Sequence, residues 1–289
     1  MRRRIRKFVG SLYGPKKVIF FLVIFLICIV ALLIGIYAQF FYKYSETDML
    51  MIGINIGAKK TEEEINDLKS GFNSLFDNSL KINSENVKAS KIEPSNDLVY
   101  TGNTLENEDE NYYQVKAFVP VININSEVAK DINGKIQGEY VSKAKEIMSR
   151  RKGKTVYNVE YCAFINQDVM SVVIRSTLKE DDMPEKVSIK AYNYAISEDR
   201  EISFEELIKL KETTYEEVQN TINKDIQKYD TNAKILAAEY GETYVRDLKS
   251  DMYKVENTST YFLTQDGYVY IVYAYGNVDY TNEIDLVIF

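Results

Sequence analysis

The chain has 289 residues, of which 36 are Lys or Arg and 43 are Asp or Glu, for a formal net charge of −7. It contains no His, no Trp and two Cys. Such a chain has no Ser-His-Asp triad, no Cys–His pair, no imidazole switch, no His-ligated zinc and too few thiols for a metal cluster, so no metal or cofactor is expected.

The first 17 residues, MRRRIRKFVGSLYGPKK, hold seven basic side chains and no acidic one. Residues 18–38, VIFFLVIFLICIVALLIGIYA, hold no charge at all. As a helix this run would be ~31 Å long, about the thickness of a bilayer's hydrocarbon core. Tyr37, Phe40, Phe41, Tyr42 and Tyr44 gather at its far end, where an interfacial aromatic belt lies. Residues 18–38 are therefore read as a transmembrane helix whose partner is the lipid bilayer. The basic tail 1–17 lies on the cytoplasmic side, and the rest of the chain is extracytoplasmic. The apolar run is longer than a signal-peptide core and is followed by no A-x-A site, so an uncleaved anchor is expected.

With the +7 tail removed, the remainder carries −14. An acidic ectodomain is a poor nucleic-acid binder but attracts basic proteins or peptides over a Debye length of ~8–10 Å. Cys28 lies in the span and Cys162 is alone outside, so no disulfide staples the ectodomain. Cys162 is read as an inert, half-buried strand residue.

Residues 39–76 form a juxtamembrane segment. MLMIGINIG is a candidate short strand. Thr61 and Glu64 then have capping-box spacing, and Ile65, Leu68, Phe72, Leu75 and Phe76 recur at helical intervals, with packing on the main domain expected. Residues 77–111, ending in LENEDEN, read as a polar linker.

The main domain is expected over residues 112–289. YQVKAFVPVINI is a strand with a break or bulge at Pro120. Val128, Ile132, Ile136 and Tyr140 recur every four residues, and Ala144, Ile147 and Met148 continue the face of one long helix. TVYNVEYCAFIN and DVMSVVIRSTLK are strands joined at Asn166, Gln167 and Asp168, and KVSIKAYNYAIS is a third. In the second strand Val169, Ser171, Val173 and Arg175 share one face. Capping boxes at Ser203/Glu206 and Thr214/Glu217 open two helices, and AKILAAEY and ETYVRDLK read as two shorter ones. The chain closes with a hairpin turning at Gln265, Asp266 and Gly267 and a last strand, IDLVIF. Strand runs separated by helical blocks give an α+β fold with a mainly antiparallel sheet.

Several of these segments, PVININSEVAKDINGKI, MSVVIRST, YNYAISEDREISFEELI and YFLTQDGYVYIVYAYG, resemble the extracytoplasmic domain family typified by the RsiV lysozyme-sensing anti-sigma factor. Relatives of this domain also precede polysaccharide deacetylase modules in Gram-positive envelope enzymes. The resemblance covers residues 113–289 and implies a bacterial cell-envelope location and a binding or sensing role. Lysozyme-sensing members carry a Gly-Gly-Ala-His-like stretch where this chain has STLKEDD, residues 176–182. Near the C-terminus the family reads like YEIAPYAAG, where this chain has YGNVDYTNEIDL. A 17-residue tail is too short to fold as an anti-sigma domain, so neither an anti-sigma role nor a deacetylase activity is expected of this chain.

Two surfaces are candidates for ligand contact. One is the acidic loop holding Glu180, Asp181 and Asp182. The other is a set of strand tyrosines, Tyr192, Tyr194, Tyr268 and Tyr270, whose rings and hydroxyls suit glycans or peptides if exposed. No catalytic residue is singled out, because the acids are scattered through caps and loops. The expected protein is thus a non-enzymatic, single-pass membrane protein whose outward domain binds an envelope component or a basic protein. The competing expectations are an assembly module acting through the helix at residues 65–76 or the span, and a carboxylate-dependent cell-wall hydrolase.

Overall fold

The computed structural model describes residues 61–76, 89–241, 243–279 and 281–289. The basic tail, the apolar run, the MLMIGINIG segment and residues 77–88 lie outside the described residues. Among the described residues no helix is long and apolar enough to cross a membrane.

The first element is helix α1, Glu62–Ser70, with the expected capping box: Glu64 N–H donates to Thr61 Oγ1, and Glu64 Oε2 accepts from Thr61 N–H at 2.9 Å. A 3₁₀ turn, Phe72–Leu75, follows it. Strand β1, Val99–Asp109, pairs antiparallel with β2, Tyr113–Ile122. The linker expected over 77–111 is thereby corrected. Eleven of its residues form an edge strand, because Leu98 and Val99 bury in the core and the LENEDEN backbone finds its hydrogen bonds on β2. The pairing slips at Gly102, which has no register partner, beside the Thr101–Pro120 pair, where Pro120 offers no N–H to the ladder.

Helix α2, Glu127–Ile136, is capped by Ser126, whose Oγ accepts from Ala129 N–H at 3.0 Å. It runs through a π turn, Gln137–Val141, into α3, Ser142–Ser149. Ile132, Ile136, Tyr140 and Ala144 are all buried. Side chains spaced by four drift around an ordinary helix of 3.6 residues per turn, and the wider π turn keeps this row on one face.

β3, Thr155–Asn166, lies parallel to β2, with α2 and α3 as the crossover. β4, Val169–Glu180, β5, Lys186–Ala195, and β6, Arg200–Glu201, then follow in antiparallel order. The six strands lie in chain order in one mostly antiparallel sheet. Helix α4, Phe204–Leu210, and helix α5, Tyr215–Tyr240, both start on the expected capping boxes. AKILAAEY is the last third of α5, not a separate helix. Asp230 and Lys234 pair at 2.6 Å across one turn there, and no Gly or Pro interrupts the run. A second sheet holds β7, Tyr261–Leu263, β8, Val269–Ala274, and β9, Ile284–Ile288, with the β7–β8 turn at the expected place.

These elements stack in four layers. One face of the large sheet, with Val159, Met170, Val172 and Ile174, packs on α2 and α3. The other face, with Cys162, Phe164, Val173 and Ile189, packs on Phe262, Tyr270, Val272 and Leu286 of the small sheet. The far face of the small sheet, with Val269, Ile271 and Val287, packs on α4 and α5. Phe72 and Phe76 belong to the middle layer, so the segment expected beside the membrane is part of the domain core. Lys59–Phe289 is one compact unit.

ETYVRDLK is not helical: where described, it is an irregular strap. Its Arg246 is drawn into the interior by Asp285. Arg246 Nε and Nη2 donate to the two Asp285 oxygens at 2.9 and 2.7 Å, and Tyr275 Oη donates to the same carboxylate at 2.7 Å. The tertiary ion pair outweighs the local helix propensity.

Candidate functional site

The small sheet covers only part of the large one. Along β3 and β4, the face that is apolar at Cys162, Phe164 and Val173 turns polar at Asn158, Glu160, Arg175 and Thr177. There it stays open and forms the floor of a cleft of about 580 Å³. Lys69, Phe72 and Asn73 form one wall, residues 282–286 the other, and Glu185 and Val187 of β5 the end.

Most charges in the cleft are already held. Arg175 Nη2 pairs with Glu160 at 2.6 Å, its Nη1 donates to Asn73 Oδ1 at 2.9 Å, and its guanidinium lies over the Phe76 ring. Lys69 pairs with Asp225 of α5 at 2.7 Å. Glu283 accepts from Arg246 at 3.3 Å. Asn158 Nδ2 donates to Thr177 Oγ1 at 3.1 Å across the strand pair. Glu185 forms no ion pair among the described residues. The result is a fixed surface of the Asn73, Asn158 and Asn282 amides, the Thr177 hydroxyl and paired charges beside a Phe ring. It suits a polar ligand rich in hydroxyls and amides and offers one spare carboxylate to an amine.

The end wall is built by close backbone contact. A Cβ on Gly276 would lie 1.9 Å from the Val187 carbonyl oxygen. Asn277 then donates through Nδ2 to Ile189 O and accepts at Oδ1 from Ile189 N–H, both at 3.0 Å, completing the β5 edge as a strand would.

None of the candidate ligand residues read from the sequence lines this cleft. Glu180 pairs with Arg150, which also pairs with Glu146. Asp181 closes the loop on residues 153 and 154: its N–H donates to Lys154 O at 2.7 Å and its Oδ1 accepts from Lys154 N–H at 2.5 Å. Gly153 has φ +71° and passes so close that a Cβ would meet Asp181 Oδ2 at 2.6 Å. Asp182 is exposed beside them. The acidic tip thus ties α3 to the β3–β4 hairpin.

The tyrosines are divided between layers. Tyr194 is buried and Tyr192 half-buried on the α2 side of the large sheet, whereas Tyr268 and Tyr270 are buried between the sheets. Burial pushes the Tyr194 and Tyr270 hydroxyls up to about 12. They form no common exposed ladder. Cys162 is buried in the middle layer, and burial raises its thiol to about 12, so it holds little thiolate at neutral pH. Among the described residues, no group of three His, Cys, Asp or Glu side chains is arranged to hold a metal ion.

The cleft left one signal in the sequence. On alternating strands whose same face is apolar at Cys162, Phe164 and Val173, with one buried Ser171, the run of polar residues Asn158, Glu160, Arg175 and Thr177 marks where cover ends. The walls left none, because residues 69–73 and 282–286 meet only through the fold.

No family model and no curated protein matches the chain. Among solved structures, it is similar to a DUF3298 family protein from Pseudomonas aeruginosa PAO1, with 12% identity and a TM-score of 0.36 over 58% of this chain and 76% of that one. DUF3298 is the RsiV-like domain family.

Proposed function

We propose that this is a membrane-anchored bacterial envelope protein whose outward α+β domain binds, without chemical turnover, a hydroxyl- and amide-bearing component of the cell envelope. Residues 18–38 are the span, with the N-terminus cytoplasmic. The observation that carries the reading is the open cleft on the large sheet. Two of its three carboxylates, Glu160 and Glu283, are paired with Arg175 and Arg246, which fixes them as parts of the cleft surface. Its three amides and one hydroxyl are groups of the kind that grip glycan and peptide chains. The assembly reading loses support at residues 65–76, since Phe72 and Phe76, just after α1, are buried within the domain.

The test is a titration of the full chain, in a zwitterionic detergent, with soluble glycan–peptide fragments of bacterial cell wall. Saturable binding without cleavage of the fragments is expected. Asn158→Ala and Glu185→Ala should each weaken it about fivefold, as expected for losing one hydrogen bond of ~1 kcal/mol. No binding, or binding that both variants leave untouched, counts against the reading, and cleavage of the fragments would restore the hydrolase.

A further inference from the structure

The large sheet has two unequal edges. The β6 edge is two residues long and carries Arg200, which leaves little backbone to pair with. The β1 edge is eleven residues long. Among the described residues it has one partner, β2, and its other side is free. Long free edges are normally blunted by Lys, Pro, cover or a bulge. β1 has no Lys, Arg or Pro, and its one irregularity lies near its start, between Thr101 and Asn103. From Asn103 to Asp109 every residue pairs in register with β2, so a regular seven-residue ladder is presented outward.

Of the seven side chains from Asn103 to Asp109, three are acidic and none is basic, with Glu106 lying opposite Lys116 of β2. Glu106 and Glu108 lie on one face and are exposed, and Asp109 and the exposed Glu110 follow at the turn. None of the four forms an ion pair among the described residues. A second copy of the chain pairing edge to edge would bring like charges together, which disfavours self-association. An extended segment with basic residues at alternate positions would instead place a cation beside each of Glu106 and Glu108 while its backbone completes the ladder.

We propose that the β1 edge, Asn103 to Asp109, is a docking site for an extended basic segment of a partner polypeptide, which adds to the large sheet as a seventh strand. The backbone supplies the hydrogen bonds, and Glu106 and Glu108 select the charge. This surface is separate from the cleft.

The probe is a synthetic peptide of about ten residues, the length of an ordinary strand, alternating Lys with Val. It is titrated into the full chain in a zwitterionic detergent. A second peptide of the same sequence carries N-methyl groups on alternate backbone nitrogens, which keeps the charge and removes strand pairing. The first peptide should bind, and binding should weaken as salt is raised. Amides of residues 103–109 should gain hydrogen-exchange protection. The N-methylated peptide should bind at least about tenfold more weakly, since several backbone hydrogen bonds are lost together. Glu106→Lys with Glu108→Lys, both at exposed positions, should abolish binding without unfolding the domain. Equal binding of the two peptides, protection elsewhere than β1, binding by the charge-reversed variant, or no binding at low salt would overturn the proposal. So would protection of β1 through self-association in the absence of peptide.

Discussion

Arg175 of β4 lies with its guanidinium 4.2 Å from the centre of the Phe76 ring, 99 residues earlier in the chain. The contact fastens the segment after α1 to the large sheet. A column of rings continues inward from it: Phe72 and Phe76 pack at 5.6 Å, Phe72 and Tyr270 at 6.3 Å, Tyr270 and Phe262 at 4.9 Å, and Phe262 and Phe164 at 5.6 Å. The segment nearest the apolar run is therefore built into the middle layer and into one wall of the cleft.

Removing either ring of the segment should be costly. Phe72 and Phe76 are 3% and 7% exposed. Phe72→Ala and Phe76→Ala should each destabilise the domain by about 3–5 kcal/mol, through lost burial and a cavity beside Tyr270 in the first case and beneath Arg175 in the second. A fragment of residues 112–289 lacks β1 as well as both rings, and should show no cooperative thermal melt. A sharp melt of that fragment at the temperature of the full domain would show that the first block is dispensable.

The strap after α5 gives a second test. Arg246→Ala leaves the Asp285 carboxylate buried without its cation and should cost about 3–5 kcal/mol in denaturant melts. Replacing both residues, Arg246→Met with Asp285→Leu, should recover much of that loss, because neither charge is then left alone in the interior. Equal losses in the single and double variants would mean that the ion pair is not what holds the strap.

Alkaline pH should unfold the domain earlier than its net charge suggests. Burial raises the Tyr229, Tyr261 and Tyr270 hydroxyls to about 12, against about 10 in an unfolded chain. Below pH ~10 both states keep the proton and the full stability is present. Above it the unfolded chain loses protons that the folded chain retains, so stability falls as pH rises toward 12. Denaturant midpoints measured from pH 8 upward should be flat to about 10 and then drop, with tyrosinate absorbance appearing together with unfolding.

Gly276 should tolerate no side chain. With Val187 O at 1.9 Å from the position of a Cβ, Gly276→Ala must push the 3₁₀ turn Tyr275–Asn277 off β5 and break the two Asn277 hydrogen bonds. A loss of about 1–3 kcal/mol is expected. An unchanged melting temperature would show that the turn relaxes freely.

Much of the fold was legible from local chemistry. The capping boxes at Thr61, Ser203 and Thr214, the alternation of Val169 to Arg175 and the turn at Gly267 each follow from neighbours in sequence, and each is found where those neighbours put it. What was not legible depends on partners far away. LENEDEN reads as a linker because its side chains are polar, but an edge strand needs only its backbone and one neighbour, here β2. ETYVRDLK reads as a helix until Asp285 takes Arg246. The strand tyrosines alternate as an exposed ladder would, yet Tyr268 and Tyr270 face inward from the small sheet and are covered by the large one. Of the cleft, only the polar end of the β3–β4 face was visible, since its walls come from residues more than 200 positions apart.

The proposed membrane anchoring and its orientation are tested on intact protoplasts. External protease should digest the domain and leave a fragment of the basic tail and apolar run with the cell. Full protection of the C-terminus would reverse the topology, and release of the chain into the medium would make residues 18–38 a cleaved signal.

The most direct test of the binding account is a hydrogen-exchange footprint of the full chain, with and without soluble glycan–peptide fragments of cell wall at saturating concentration. The account predicts new protection confined to the cleft: residues 69–73 of the first wall, the polar ends of β3 and β4 around Asn158 and Thr177, and residues 282–286. No change in exchange at these segments, or protection confined to other faces of the domain, would contradict it.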